Sequence, residues 1–284
     1  SSIDAAKIIA ASASSDEDPK TWVGFGKVKH EVPKLYAIPT TSGTGSEATM
    51  GAVISDSESR EKGVISGSSL LPAAVALDSD LMLGMPAPIT AATGIDALTH
   101  AIEAYICVWD RGTRKEHAAM ATRLIFRHLR DAVADGGNRE ARDAMAMAAY
   151  YAGIAINQVN VGNVHAIAHQ IGGKYGIPHG LANALVLPHV LEFCRAESGQ
   201  ALAELALLAE AGSAGEPTDV LAGKFIAAVV QLRADVGLPE TSDKIRAEDY
   251  DYLAGLAYKE CEGYPVPKLL ERDAILDILR KITA

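Results

Sequence analysis

Several histidines and one aspartate are spaced along the sequence in a way that suits a metal site. His165 and His169 are four residues apart, so both rings project from one face if this segment is helical. His179 follows a glycine-rich turn that can bring the chain back beside that face. Asp96 and His100 form a second pair with the same spacing. One carboxylate and several imidazoles suit a borderline divalent ion, which makes Fe²⁺ or Zn²⁺ the expected metal.

A structural role is the alternative for each of these rings. A single histidine on a helix rich in alanine and isoleucine is more often a core residue with a local hydrogen bond than a ligand. Clustering favours a ligand role, because burying several imidazoles and a carboxylate together is costly unless a metal ion or a proton network pairs them. The spacing by itself leaves both interpretations open.

A polar loop over residues 39–49, with the sequence PTTSGTGSEAT, is a second candidate site. Such a loop can cradle a phosphate or ribose with backbone N–H groups and hydroxyls. It can also be an ordinary surface turn, since Gly43 and Gly45 permit positive φ and the hydroxyls solvate the backbone. The loop has neither a Walker lysine nor a GxGxxG pattern, so the motif alone does not decide.

The elements that must carry these residues change in type near Gly84. Before it, the pattern predicts a helix over 1–13, strands over 34–38 and 73–78, and two strands around a charged hairpin over 51–66. After it, alanine, leucine and isoleucine recur at helical spacing. We therefore expect a partial α/β domain over 1–84 and an all-helical domain over 85–284, with the chain predominantly helical. The predicted helices of the second domain cover 88–107, 113–134, 139–155, 159–175, 179–193, 200–211, 217–236, 247–258 and 271–282.

Composition excludes several classes of protein. The 284 residues carry 26 Lys and Arg against 36 Asp and Glu, a net charge of −10, which disfavours nucleic acid and anionic lipid as partners. No apolar run is long enough for a membrane helix. Three separated cysteines predict neither a disulfide framework nor a thiolate zinc site, and they suit a reducing, cytoplasmic location.

Several longer sequence segments are similar to those of a known protein family, and the similarity covers nearly the whole chain. The strings AIPTTSGTGSEAT, DSDLMLGMP, TAATGIDALTHAIEAY and VHAIAHQIGGKYGIPHGLANALVLPHV, and more loosely RADVGLP, resemble the iron-dependent (group III) alcohol dehydrogenase family. The resemblance implies an α/β nucleotide-binding domain, an all-helical metal-binding domain, and a cleft between them that holds nicotinamide against the metal.

The family's functional positions carry over residue by residue. The resemblance places the four metal ligands on Asp96, His100, His165 and His179. It makes His169 a residue close to nicotinamide and substrate rather than a ligand, and a candidate for relaying the released proton.

The cofactor positions of the family fall in the polar loop and at the charged hairpin. Thr40, Thr41 and Thr44 match positions that touch the cofactor. Lys62 falls where the family commonly has a basic residue near it, although by sequence alone it is a solvated lysine. The chain opens where the tail of a glycine-rich pyrophosphate turn is expected, without its three glycines or the β-rich segment before them. This predicts an N-terminal truncation.

The resulting functional hypothesis is reversible oxidation of an alcohol to an aldehyde or ketone with NAD or NADP, with a small-molecule alcohol or aldehyde as substrate and a homo-oligomer as the hypothesised assembly. Two alternatives are a relative on the same scaffold, such as a glycerol dehydrogenase or maleylacetate reductase, and a truncated, non-catalytic metal-binding protein. Titration with NAD(H) distinguishes an enzyme from the non-catalytic protein.

Overall fold

A computed structural model describes residues 1–55 and 62–284 of the chain, apart from the side chains of Ser55 and Lys62. The turn of the predicted charged hairpin lies outside these residues. The model confirms a predominantly helical chain with a small N-terminal α/β part.

The N-terminal part consists of one helix and two small sheets. Helix α1 spans Ser2–Ser12, where Ser1 and Asp4 form a reciprocal capping box at its start. One sheet joins β1 (Gly24–Phe25), β4 (Lys62–Ser66) and β3 (Gly51–Ser55) in that order, with β1 parallel and β3 antiparallel to β4. The other sheet pairs β2 (Tyr36–Ala37) with β5 (Ala74–Val75) in parallel. The two strands predicted around the hairpin are confirmed.

The strands predicted over 34–38 and 73–78 are much shorter in the structure. β2 and β5 have two residues each, and in β5 Ala74 is exposed and Val75 half-buried. Short apolar runs resemble buried strands in sequence, but only pairing with a neighbouring strand makes them strands. Among the residues that the structure describes, β2 and β5 pair only with each other.

All nine helices predicted in the second part are present. Their ends agree with the sequence prediction to within four residues, which is the accuracy expected from capping and periodicity. The helices are α2 (Ala87–Ile106), α3 (Arg114–Ala134), α4 (Arg139–Asn157), α5 (Asn163–Tyr175), α6 (His179–Phe193), α7 (Gly199–Leu208), α8 (Thr218–Asp235), α9 (Tyr250–Cys261) and α10 (Arg272–Ile282).

Two apolar cores hold these parts together. A small core joins α1 to the three-stranded sheet through residues such as Ile8, Trp22 and Ile65. A large core extends from Ala91 to Ile282 and contains the buried faces of α2 to α10. Helix α2 is the central element, since it packs against α3, α4 and α6 and also touches α5 and α7. No helix in the described residues is both long and apolar enough to cross a bilayer.

Candidate metal centre

Helices α2, α5 and α6 bring the histidines and the aspartate together. Asp96 and His100 lie one turn apart on the buried face of α2, and His165 lies on the buried face of α5. His179 is the first residue of α6. Glycine lets α6 approach α2 here, because a Cβ on Gly180 would lie 2.1 Å from the carbonyl oxygen of Ala92.

The donor atoms of these side chains converge on the carboxylate of Asp96. Asp96, His100 and His165 each offer one ligand atom within 4.8 Å of the others. Asp96 Oδ1 lies 3.8 Å from His165 Nε2 and 3.4 Å from His179 Nε2. Asp96, His100 and His165 are at most 6% exposed. Hydration by solvent therefore does not offset the free-energy cost of burying these polar side chains. His179 is about one-third exposed and lies on the open side of the cluster.

Glu103 was not selected from the sequence, yet it fixes the orientation of His165. Its Oε2 accepts a 2.6 Å hydrogen bond from His165 Nδ1 and a 2.8 Å bond from the Gly162 N–H, and its Oε1 accepts a 2.7 Å bond from the Val164 N–H. A bond at Nδ1 leaves Nε2 available as a ligand, the arrangement that metal-binding histidines usually show.

Asn183 is a second buried residue that the sequence did not single out. Its Nδ2 donates a 2.7 Å hydrogen bond to Asp96 Oδ1 and lies 3.3 Å from His165 Nε2 and 3.4 Å from His179 Nε2. The amide therefore lies among the donor atoms, one helical turn after His179. The spacing of four residues between His179 and Asn183 is the signal that could have identified it.

Electrostatics in the cluster favour a cation. Burial alone raises the pKa of Asp96, but the facing rings of His179, His100 and His165 hold it below its ordinary value. Burial and the neighbouring rings lower the pKa of His165 well below 6.5. The carboxylate is thus ionised and the imidazole neutral near neutral pH, which are the forms that bind metals. Burial raises the pKa of Glu103 to about 7, against the stabilising N–H groups of Gly162 and Val164.

Two buried polar atoms test whether a metal ion fits here. His100 Nδ1 and Asn183 Oδ1 have no hydrogen-bond partner among the described residues. Buried polar atoms without a partner are costly, and both belong to side chains of this cluster. Imidazole nitrogens and carboxylate or amide oxygens are suitable ligands for Fe²⁺ or Zn²⁺. The residues present fit such an ion.

His169 lies beside the cluster. Its ring stacks on that of His179, with centroids 5.4 Å apart and planes 17° apart, and meets the His165 ring edge-on at 5.7 Å. Its Nδ1 is 2.6 Å from Oε1 of Glu260 on α9. The sequence gives no indication that Glu260 contacts His169, because the two residues are 91 positions apart.

The polar loop of residues 39–49 packs against the same helix that carries Asp96. A Cβ on Gly43 would lie 2.5 Å from the Cβ of Thr93, three residues before Asp96. Thr40 and Thr44 are exposed at this loop and Thr41 is half-buried. The structure therefore brings the predicted cofactor loop beside the start of the metal-carrying part of α2. The side chain of Lys62, the remaining predicted cofactor residue, lies outside the described residues.

Lys7 anchors this loop from α1. Its Nζ donates three 2.7 Å hydrogen bonds, to the carbonyl oxygens of Ser46, Thr49 and Gly51, and the side chain is fully buried. Burial lowers the pKa of Lys7 to about 8, although Asp4 and Glu47 oppose the shift. The sequence did not identify this role, because a lysine in a short amphipathic helix is ordinarily solvated.

The fold and the site together define a largely helical protein with a buried cluster of one carboxylate and several imidazoles, of the kind that suits a divalent metal ion, next to a polar loop. Comparison with known proteins gives the family. A family model described as iron-containing alcohol dehydrogenase matches residues 1–79, and one described as the C-terminal part of the Fe-containing alcohol dehydrogenase family matches residues 90–283.

Individual relatives are similar over almost the whole chain. A 1,3-propanediol dehydrogenase of Citrobacter freundii is 39% identical over 98% of this chain and 72% of its own length. The NAD-dependent methanol dehydrogenase of Bacillus methanolicus is 36% identical over 99% of this chain and 74% of its length. A crystal structure of a 1,3-propanediol oxidoreductase superposes with a TM-score of 0.95 at 39% identity, covering 99% of this chain and 74% of that one.

The chain belongs to the iron-containing alcohol dehydrogenase family. Membership makes it an oxidoreductase that interconverts alcohols with aldehydes or ketones, which confirms the enzyme class expected from the sequence.

Proposed function

We propose that this chain oxidises a small alcohol reversibly to an aldehyde or ketone, with NAD or NADP as hydride acceptor and Fe²⁺ or Zn²⁺ as metal. The observation that carries the proposal is the convergence of Asp96, His100 and His165, with ligand atoms within 4.8 Å of one another inside the core. His179 completes the set of proposed ligands, since its Nε2 is 3.4 Å from Asp96 Oδ1.

The four proposed ligands fix one site for the metal and leave one side accessible. When bound, a divalent ion acts as a Lewis acid that polarises the alcohol oxygen and lowers its pKa. Asp96 supplies the negative charge that partly balances the ion. Glu103 orients His165, and the partial exposure of His179 marks the side from which a substrate enters.

The polar loop is the proposed cofactor contact. Thr40 and Thr44 are exposed, and Thr41 is half-buried. The packing of Gly43 on Thr93 supports placing the cofactor near the metal, because Thr93 is on the same helix as Asp96. Lys62 remains a proposed basic contact.

His169 is proposed to accept the proton that the alcohol releases. The ring stacks on His179 and is about one-fifth exposed, so it lies between the site and solvent. An imidazole can both accept and donate a proton through its ring nitrogens, which suits proton relay.

Metal content is the first test. Protein purified without oxygen should contain about one iron or zinc per chain, and a His165→Ala variant should lose it. A matched control is His128→Ala, at a half-buried ring on α3 outside the cluster, which should retain the metal. No metal in either protein after reconstitution with Fe²⁺ or Zn²⁺ would contradict the proposed site.

Cofactor and substrate tests separate the remaining alternatives. Titration with NADH and with NADPH should show binding to one of them, and absorbance at the nicotinamide band should follow turnover of linear alcohols and diols. Metal binding without dinucleotide binding identifies a non-catalytic protein. Turnover of glycerol or maleylacetate in preference to simple alcohols identifies one of the same-scaffold relatives.

Further proposals concern organisation and surroundings. The boundary between a partial α/β domain over 1–84 and a helical domain over 85–284 is supported by the two separate apolar cores. A homo-oligomer is supported by Phe25 and Tyr36, which are 78% and 71% exposed, and light scattering would measure it. The three buried free cysteines support a reducing, cytoplasmic location, and the net charge of −10 supports the absence of nucleic-acid and membrane partners.

A further inference from the structure

Glu260 connects the last turn of α9 to two consecutive residues of α5. Its Oε1 accepts hydrogen bonds of 2.6 Å from both His169 Nδ1 and the Tyr264 hydroxyl, and its Oε2 accepts a 2.6 Å bond from Gln170 Nε2. Both carboxylate oxygens are therefore held from two directions, by α5 and by the segment after α9. The carboxylate can be displaced only by breaking several charge-assisted hydrogen bonds.

The position of Glu260 is unfavourable for the helix itself. It is the penultimate residue of α9, where the helix dipole disfavours a negative charge. Its side chain is about one-quarter exposed, so solvent does not fully compensate that charge. Helix stability thus gives no reason for a glutamate here, whereas its contacts to α5 and Tyr264 do.

Pairing with Glu260 determines which nitrogen of His169 carries hydrogen. A carboxylate accepts and does not donate when ionised, so the hydrogen of a neutral His169 ring is on Nδ1. The lone pair is then on Nε2, at the side of the ring away from Glu260. A carboxylate behind an imidazole fixes the tautomer and stabilises the imidazolium that forms when the ring takes up a proton.

We propose that Glu260 is a positioning residue, which holds His169 in the Nδ1–H tautomer so that Nε2 accepts the proton released by the alcohol. In this step the carbinol carbon gives a hydride to the oxidised nicotinamide, and the hydroxyl gives its proton to His169 Nε2. The tautomer is inferred from the hydrogen bonds of Glu260 alone. That the proton comes from the alcohol rests on the proposed function.

Two measurements test the proposal. In protein loaded with Zn²⁺ and the dinucleotide that it binds, ¹⁵N NMR of the histidine rings, assigned with H169A, should show a protonated Nδ1 and an unprotonated Nε2 for His169. E260A should lose that preference. In steady-state kinetics E260A should lower kcat about 10–100-fold, a part of the roughly 10²–10⁴-fold that a positioned general base contributes, with KM changed less than twofold.

A double-mutant cycle distinguishes positioning from a general structural effect. E260A should cause no further loss of kcat in the H169A background, because the two residues then act as one unit. The matched control is E262A, an exposed glutamate two residues along the chain, which should keep wild-type kcat. Metal content should stay at the wild-type level in E260A.

Each contrary result has a distinct meaning. A wild-type His169 with hydrogen on Nε2 overturns the proposal, and so does an E260A loss that is equally large in the H169A background. The wild-type spectrum needs no substitution, so it decides the tautomer even when E260A does not fold. If the wild-type protein binds Zn²⁺ and dinucleotide but turns over no alcohol, the proposed function fails while the spectrum still decides the role of Glu260.

Discussion

Replacing Glu103 by glutamine tests how far the metal centre depends on a residue that is not a ligand. The carboxylate accepts hydrogen bonds from His165 Nδ1 and from the N–H groups of Gly162 and Val164. Glutamine keeps one acceptor oxygen and introduces an amino group, so at least one of these three donors faces another donor. The ring of His165 loses both its fixed orientation and its negatively charged partner.

The expected effect on metal affinity is a 10–100-fold loss, as is usual when the hydrogen-bond partner of a ligand is removed. This corresponds to about 1.4–2.8 kcal/mol of binding free energy. The metal-free protein should be destabilised by about 1–3 kcal/mol at most, the cost of one buried donor left without an acceptor. Burial raises the pKa of Glu103 to about 7, so the buried negative charge itself costs free energy. The neutral amide of glutamine removes that cost, but its NH₂ group faces one of the N–H donors.

Competition of the protein with a chromogenic chelator for Zn²⁺ measures the affinity, and urea unfolding of metal-free protein measures the stability. Glu140→Gln, an exposed glutamate on α4, is the matched control and should bind Zn²⁺ as the wild type does. An unchanged affinity in a folded Glu103→Gln protein would refute the role of Glu103 in orienting His165. So would an equal loss in the control.

Three further predictions concern the loop and the metal. Lys7→Met leaves three carbonyl oxygens without their donor. We therefore expect the free energy of unfolding to fall by about 2–4 kcal/mol and NADH to bind more weakly. Urea unfolding and fluorescence titration with NADH measure these effects, and a wild-type urea midpoint would contradict the prediction. Gly45→Ala should cost about 1–3 kcal/mol, because φ is +61° and a Cβ would lie 2.7 Å from the Cα of Gly153, whereas Gly173→Ala, in open space on α5, should be neutral or stabilising. Removing metal with a chelator should lower Tm, and Zn²⁺ at 100 times its Kd should restore about 2.7 kcal/mol; a metal-dependent Tm shift that persists in His165→Ala would show that the metal binds elsewhere.

The sequence was sufficient for the helices of the second part and for proposing where a metal site lies. Helical periodicity placed all nine helices of the second part, because each helix buries a continuous apolar face that recurs every three to four residues. Spacings of four residues put Asp96 with His100, and His165 with His169, each on one helical face. These are local properties of the chain, and local properties can be obtained from its sequence.

Tertiary structure decided which residues support that site. Glu260 meets His169 across 91 residues, Glu103 meets His165 across 62, and Lys7 meets the polar loop across about 40. In sequence each is an ordinary charged residue on a helix, with nothing nearby to indicate a partner. Strand length was also decided by pairing, since β2 and β5 extend only as far as they face each other. Packing between distant segments selects these contacts, because the free energy of burying a charge depends on the neighbours that the fold provides.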